Sequence, residues 1–200
     1  MLLEYYSVMD YAHIFRRLFH LCGPLVLVYY IMPAIFLSLP KNIWVLLTLA
    51  GLLIIEVMRL YTGKIFFGLR DYEKGQVSAF AWAGIAITIA FLFFPPAFVI
   101  CAVVGLCWAD PLIGEMRKRG RMNQYPALPL CVYFFIVMTG LILFSDIKII
   151  PVLVLGIVGS MTAIAVEKPK LPIDDDFLML IVPLIALTLV HEYLIIAGLV

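Results

Sequence analysis

The chain has 200 residues, of which 65% are hydrophobic and 14% charged, with a formal net charge of +1. A soluble domain is about half apolar, so this composition excludes an ordinary water-soluble globule and points to an integral membrane protein with lipid among its partners. The near-zero net charge gives no basis for a nucleic-acid partner, which would call for a basic surface.

In the first 20 residues, Leu2, Leu3, Tyr6, Met9, Ile14, Leu18 and Phe19 alternate with Glu4, Asp10, His13, Arg16 and Arg17. That mixture predicts an amphipathic helix lying at the membrane interface over 1–20. It is not the pattern of a cleaved secretory signal, since Glu4 and Asp10 precede the first basic pair. Crossing a bilayer core takes about 20 apolar helical residues. The charge-free run 21–40 predicts a first span, and 42–58 a second with Glu56 near its end. The charge-free run 77–109 is too long for one crossing. Pro95-Pro96 divides it, because proline lacks the amide donor and clashes with the preceding turn. Spans over 77–95 and 97–113 follow, and later apolar runs predict spans over 122–145, 147–166 and 177–200. The expected fold is an all-α membrane protein of about seven transmembrane helices, forming one polytopic domain over 21–200.

Cys22, Cys101, Cys107 and Cys131 all lie in apolar runs and form no C-x-x-C pair. They read as small buried hydrophobes, not as a metal or disulfide framework. Orientation follows from the basic residues of short loops. Arg16, Arg17, Arg59, Lys64, Arg70, Lys74, Arg117, Lys118, Arg119, Arg121, Lys168 and Lys170 fall on one side, and only Lys41 and Lys148 on the other. The first side, with the N-terminus, is expected to be cytoplasmic and the C-terminus to be outside.

The acids of interest collect on that same side. Asp110 precedes a proline in Trp108-Ala-Asp-Pro-Leu-Ile-Gly-Glu115, Glu167 closes an apolar run, and Asp174, Asp175 and Asp176 open the last one. Glu56 and Arg59 share a helical face, as do Arg16 and His20. An ionised carboxylate in hydrocarbon costs about 3 kcal/mol, so each needs a reason. The aspartate triplet can serve as a helix cap with favourable dipole charge. Glu56–Arg59 can be an intrahelical ion pair, and Arg117–Arg121 a topology signal touching anionic lipid. Alternatively, acids from several helices ringed by Arg and Lys suit Mg²⁺-dependent phosphoryl transfer. Carboxylate oxygens hold Mg²⁺, guanidiniums hold phosphate, and the reaction needs mainly positioning and neutralised charge. There is no G-x-x-x-x-G-K-[ST] loop, and His191-Glu192 is not an H-E-x-x-H zinc site, because position 195 is Ile.

These segments resemble the CTP-dependent polyprenol kinase family, which includes dolichol kinase, phytol kinase and the CTP-dependent diacylglycerol kinase. Arg16-Arg-Leu-Phe-His20, followed by Gly23, is similar to the family's N-terminal arginine-lysine-x-x-histidine signature. Glu56-Val-Met-Arg59 matches its E-x-x-R. Ala109-Asp-Pro-Leu-Ile-Gly114 loosely matches its G-D-x-x-A/I-G segment. Glu167 followed by Asp174-Asp-Asp-Phe-Leu-Met-Leu-Ile-Val-Pro-Leu184 matches its late acidic motif. The chain departs from the pattern at Ala109, where the family has glycine, and at Asp176, where it has asparagine. The lysine-serine/threonine-x-glutamate-glycine-serine stretch is absent, and Arg117–Pro126 stands in its place.

The resemblance implies transfer of the γ-phosphate of CTP to a polyprenol- or dolichol-like lipid alcohol, with Mg²⁺ as cofactor. On that basis Asp110, Asp175 and Asp176 would hold the metal. Asp110, Glu167, Asp174 and Asp175 would form the catalytic set, with Glu167 or one of the aspartates accepting the hydroxyl proton. Arg16, Arg17, His20, Glu56, Arg59, Gly114 and Lys118 would contact the nucleotide or its phosphates. Two alternatives stay open. One is cytidylyl transfer from CTP to a lipid phosphate, although the long signature of those enzymes is not found. The other is a non-catalytic transporter or scaffold, against which the one-sided charge speaks.

Overall fold

Without water in the hydrocarbon core, an apolar segment must bond its own amides, and the α-helix does so within itself. In the computed structural model, which describes residues 11, 14–66, 68–69, 71–167 and 173–199, nearly all the apolar runs are helical. α1 runs over Ile14–Ile31 and includes a tighter 3-10 stretch at Gly23–Leu27. A short antiparallel pair follows, β1 (Ile35–Phe36) with β2 (Leu39–Pro40). Then come α2 (Lys41–Thr62), α3 (Ala79–Phe93), α4 (Pro96–Lys118), α5 (Ala127–Phe144), α6 (Ile149–Glu167) and α7 (Asp175–Ile196). Among the described residues six helices are long and apolar enough to cross a membrane, and α3 is a shorter apolar helix of 15 residues. This is the make-up of an all-α, multi-pass membrane protein.

The largest departure from the sequence expectation is at the first span. The helix covers Ile14–Ile31, not 21–40. Met32 is extended because a residue before proline is pushed out of the helical region. The chain then turns through Leu37 and Ser38, both left-handed at φ 45° and 66°. Ile14 to His20, expected within an interfacial helix, belong to α1. Residues 1–10 of that expected helix, His13, and the basic residues Arg70, Lys168 and Lys170 lie outside the described residues.

Local chemistry sets the other helix ends. The Ser78 hydroxyl accepts from the Ala81 amide and caps α3. Pro96 opens α4, where its missing amide is not needed. The Asp174 carboxylate accepts from the Asp176 amide at 3.0 Å and caps α7. α4, α5, α6 and α7 pack in a closed ring, each against its sequence neighbour and α7 against α4. α3 leans on α7, α2 on α3, and α1 meets α4 through Gly23–Leu27. Helices approach closely where Gly105 of α4 faces Tyr133 of α5: a Cβ there would sit 2.6 Å from the tyrosine ring. Outward faces such as Ile54, Ile55, Val57 and Met58 are exposed and apolar, as a surface turned to lipid must be.

Glu56 and Arg59 are buried at the end of α2. The Arg59 guanidinium donates twice to Glu56, at 2.9 and 2.7 Å, and also to the Glu73 and Gln76 carbonyls. Glu56 in turn accepts from the Ser78 amide at 2.7 Å and its hydroxyl at 3.0 Å. The Glu73 carboxylate accepts from the Ala79 amide at 2.8 Å. The pair thus fastens the 71–78 connection to the end of α2 and fixes the start of α3. Arg59→Met leaves the Glu56 carboxylate without its cation and is expected to cost about 3 kcal/mol. Thermal unfolding in detergent reads this as a lower midpoint, and pairing it with Glu56→Gln should recover part of the loss.

Candidate functional site

α4 carries Asp110 on one face and Cys107 beside it. Pro111 has no amide hydrogen to offer the Cys107 carbonyl, so the helix is locally weakened next to the acid. Gly23 lets α1 lie against α4 here, for a Cβ at that position would collide with the Cys107 thiol. This contact brings His20 to Asp110, with Nε2 3.5 Å from Oδ2. Asp176, in the first turn of α7, completes the group: one ligand atom from each of His20, Asp110 and Asp176 lies within 4.8 Å of the others. All three side chains are half-buried.

The triplet divides its work. Asp174 caps the helix through its bond to the Asp176 amide, and Asp176 faces His20 and Asp110. Asp175 is grouped with its two neighbours in a second three-acid set, also within 4.8 Å. Two carboxylates suit Mg²⁺, and an imidazole beside them suits transition metals such as Mn²⁺ as well. His20, Asp110 and Asp176 can therefore hold a divalent cation. Of the expected metal ligands Asp110, Asp175 and Asp176, it is Asp176 that lies with Asp110, and His20 joins them, while Asp175 is grouped with its own two neighbours.

Gly114 and Lys118 lie one and two turns beyond Asp110 on the same face of α4. A Cβ at Gly114 would meet nothing within 4 Å, so the face is open there. Arg16 is half-buried one turn before His20. Arg17 turns to the neighbouring face of α4, where it pairs with Glu115, which also pairs with Arg119. Glu56 and Arg59 do not join this group, being committed to each other and to the 71–78 connection.

Glu167, at the end of α6, is buried with a side chain only 4% exposed. It pairs with Arg117 at 2.5 Å and accepts from the Tyr125 hydroxyl at 3.0 Å. Burial and the Glu167 carboxylate push the Tyr125 hydroxyl up to about 12, so it stays protonated and donating at neutral pH. Sequence reasoning did not single out Tyr125, Glu115 or Arg119 as site residues. For Glu115 and Arg119 a signal existed in their spacing of four on one helix. Tyr125 gave none beyond its place in the basic connection before α5.

Family models, curated proteins and solved structures were all compared with this chain, and none matches.

Tyr125→Phe removes a hydrogen bond to a buried carboxylate and is expected to cost about 1.5 kcal/mol. Arg117→Gln should cost less, under about 1 kcal/mol, because the arginine is 62% exposed and water screens the pair. Chemical denaturation in detergent ranks the two, and the reverse order would show that the ion pair, not the hydroxyl, holds Glu167.

Proposed function

We propose that this protein is a membrane-embedded lipid kinase that transfers the γ-phosphate of CTP to the hydroxyl of a polyprenol- or dolichol-like alcohol at the cytoplasmic membrane face. The observation that carries the proposal is the meeting of His20, Asp110 and Asp176, drawn from three helices far apart in sequence. The order of the motifs from Arg16 to Asp176 supports CTP as donor and a lipid alcohol as acceptor.

Mg²⁺ held by Asp110 and Asp176 would supply neutralisation of phosphate charge. The donor set fits it through the two carboxylates, with the His20 imidazole beside Asp110 at 3.5 Å. Arg16 and Lys118 flank the same surface and draw in the remaining phosphate charge, while Gly114 leaves room for the nucleotide to approach α4. Asp175, in the first turn of α7, takes the proton as the lipid oxygen bonds to the γ-phosphorus and the bond to the β-phosphate oxygen breaks. CDP and the lipid phosphate result. Glu167, expected in the catalytic set, is held at the end of α6 by Arg117 and Tyr125.

Purified protein given Mg²⁺, mixed lipid alcohols and CTP labelled at the γ-phosphate is expected to carry label into the lipid extract. Asp110→Asn and Asp176→Asn should each reduce this by about a hundredfold or more, as removal of a group stabilising transferred charge commonly does. Gly23→Val touches no ligand and is expected to lower the rate about tenfold by moving His20 off Asp110. Label released as pyrophosphate when lipid phosphates are supplied would replace the kinase with a cytidylyltransferase. A correctly inserted Asp110→Asn variant with full turnover would remove Asp110 from the chemistry.

A further inference from the structure

Beside the Asp110 face, α4 bears an open groove of about 450 Å³, bordered on its other side by α1. Its apolar walls are Leu21, Cys107, Trp108 and Leu112. Leu21 and Trp108 are 62% and 51% exposed, an apolar surface suited to lipid. The other end is charged: Arg17 from α1 and Arg119, just past the end of α4, stand on either side of Glu115 and both pair with it. Two guanidiniums against one carboxylate leave a net positive charge at the polar end.

We propose that this groove binds a lipid with a phosphate monoester headgroup, the phosphate seated on Arg17 and Arg119 and one chain lying against Leu21, Trp108 and Leu112. Each guanidinium carries five N–H donors in a planar fork, more than one carboxylate can use. The fork matches phosphate oxygens two at a time. A monoester carries nearly two negative charges at neutral pH, enough to engage both arginines without displacing Glu115 from either. A zwitterionic headgroup brings its own cation and gains little there. The joining of a charged end to a lipid-facing wall selects an amphiphile over a free phosphate, and an exposed tryptophan is an ordinary marker of the membrane interface. The volume falls in the range of about 300–1,000 Å³ typical of small-ligand sites, room for one chain. The groove adjoins Asp110 through Cys107, and its ligand is of the class that the proposed reaction releases, but the assignment rests on the groove's own lining.

Trp108 reports on the groove directly. Trp44→Phe and Trp82→Phe leave it the only tryptophan of the three in the chain. The protein is placed in phosphatidylcholine nanodiscs with a minor fraction of phosphatidic acid, and the bromine quencher is carried by the chains of either lipid in turn. Brominated phosphatidic acid is expected to quench Trp108 beyond its mole fraction, by about fivefold for each arginine engaged. Arg17→Gln and Arg119→Gln should each reduce that excess, and the double variant should abolish it. Glu115→Gln releases both arginines and should increase it, a change in the opposite direction that misfolding would not produce. Asp110→Asn should keep the excess whether or not phosphoryl transfer survives. Quenching in proportion to mole fraction, an excess that persists in the double variant, or equal excess with brominated phosphatidylserine would each overturn the proposal.

Discussion

A charge inside a bilayer must be paired, or kept where water reaches, and the rest of this molecule is arranged around that constraint. The clearest case is the Glu56–Arg59 pair. Its buried guanidinium and carboxylate bond to each other and to the backbone of the following connection, so charge burial also anchors a loop. The start of α3 is fixed by that anchor, and α3 leans on α7, whose N-cap and first turn hold Asp174 to Asp176. An ion pair on one helix therefore braces the helix against which the acidic turn is set.

The same constraint explains why polar groups from distant parts of the chain keep company. Arg17 with Glu115, His20 with Asp110 and Arg117 with Glu167 each join different helices at their polar ends. Between those ends the contacts are steric. Gly23 against Cys107 and Gly105 against Tyr133 allow backbones to approach where any larger residue would hold them apart. Close approach matters in lipid because packing, not exclusion of water, drives helix association there. The glycine at position 23 thus sets a polar distance, that between His20 and Asp110, through an apolar contact.

Much of the fold was readable from runs of apolar residues and the prolines between them. Pro95-Pro96 marks the break between α3 and α4, and the described helices from α2 onward follow the apolar stretches closely. The first span was not readable, because hydropathy records composition and not backbone geometry. Residues 32–40 are as apolar as those before them, yet Pro33 and the left-handed turn at Leu37–Ser38 take them out of the helix. At the candidate site, the residue types and their clustering at one end could be read in advance. The partnerships could not. Which of three consecutive aspartates faces Asp110 depends on which one caps α7, and that is settled by a hydrogen bond of 3.0 Å. Glu56 and Arg59 matched a motif, but helical spacing cannot tell a ligand-facing pair from one turned toward its own loop.

Ring closure has a consequence for how the protein comes into being. The helices enter the membrane in chain order, and α4 arrives with Asp110 well before α7 brings Asp176. α4 to α6 can pack neighbour on neighbour, whereas contact between α7 and α4 spans the intervening chain and forms late, as non-local contacts do. Until then Asp110 has His20 from α1 as company but not the second carboxylate. A partly inserted chain is thus chemically incomplete, and the assembled cluster marks a molecule whose last described helix has been seated.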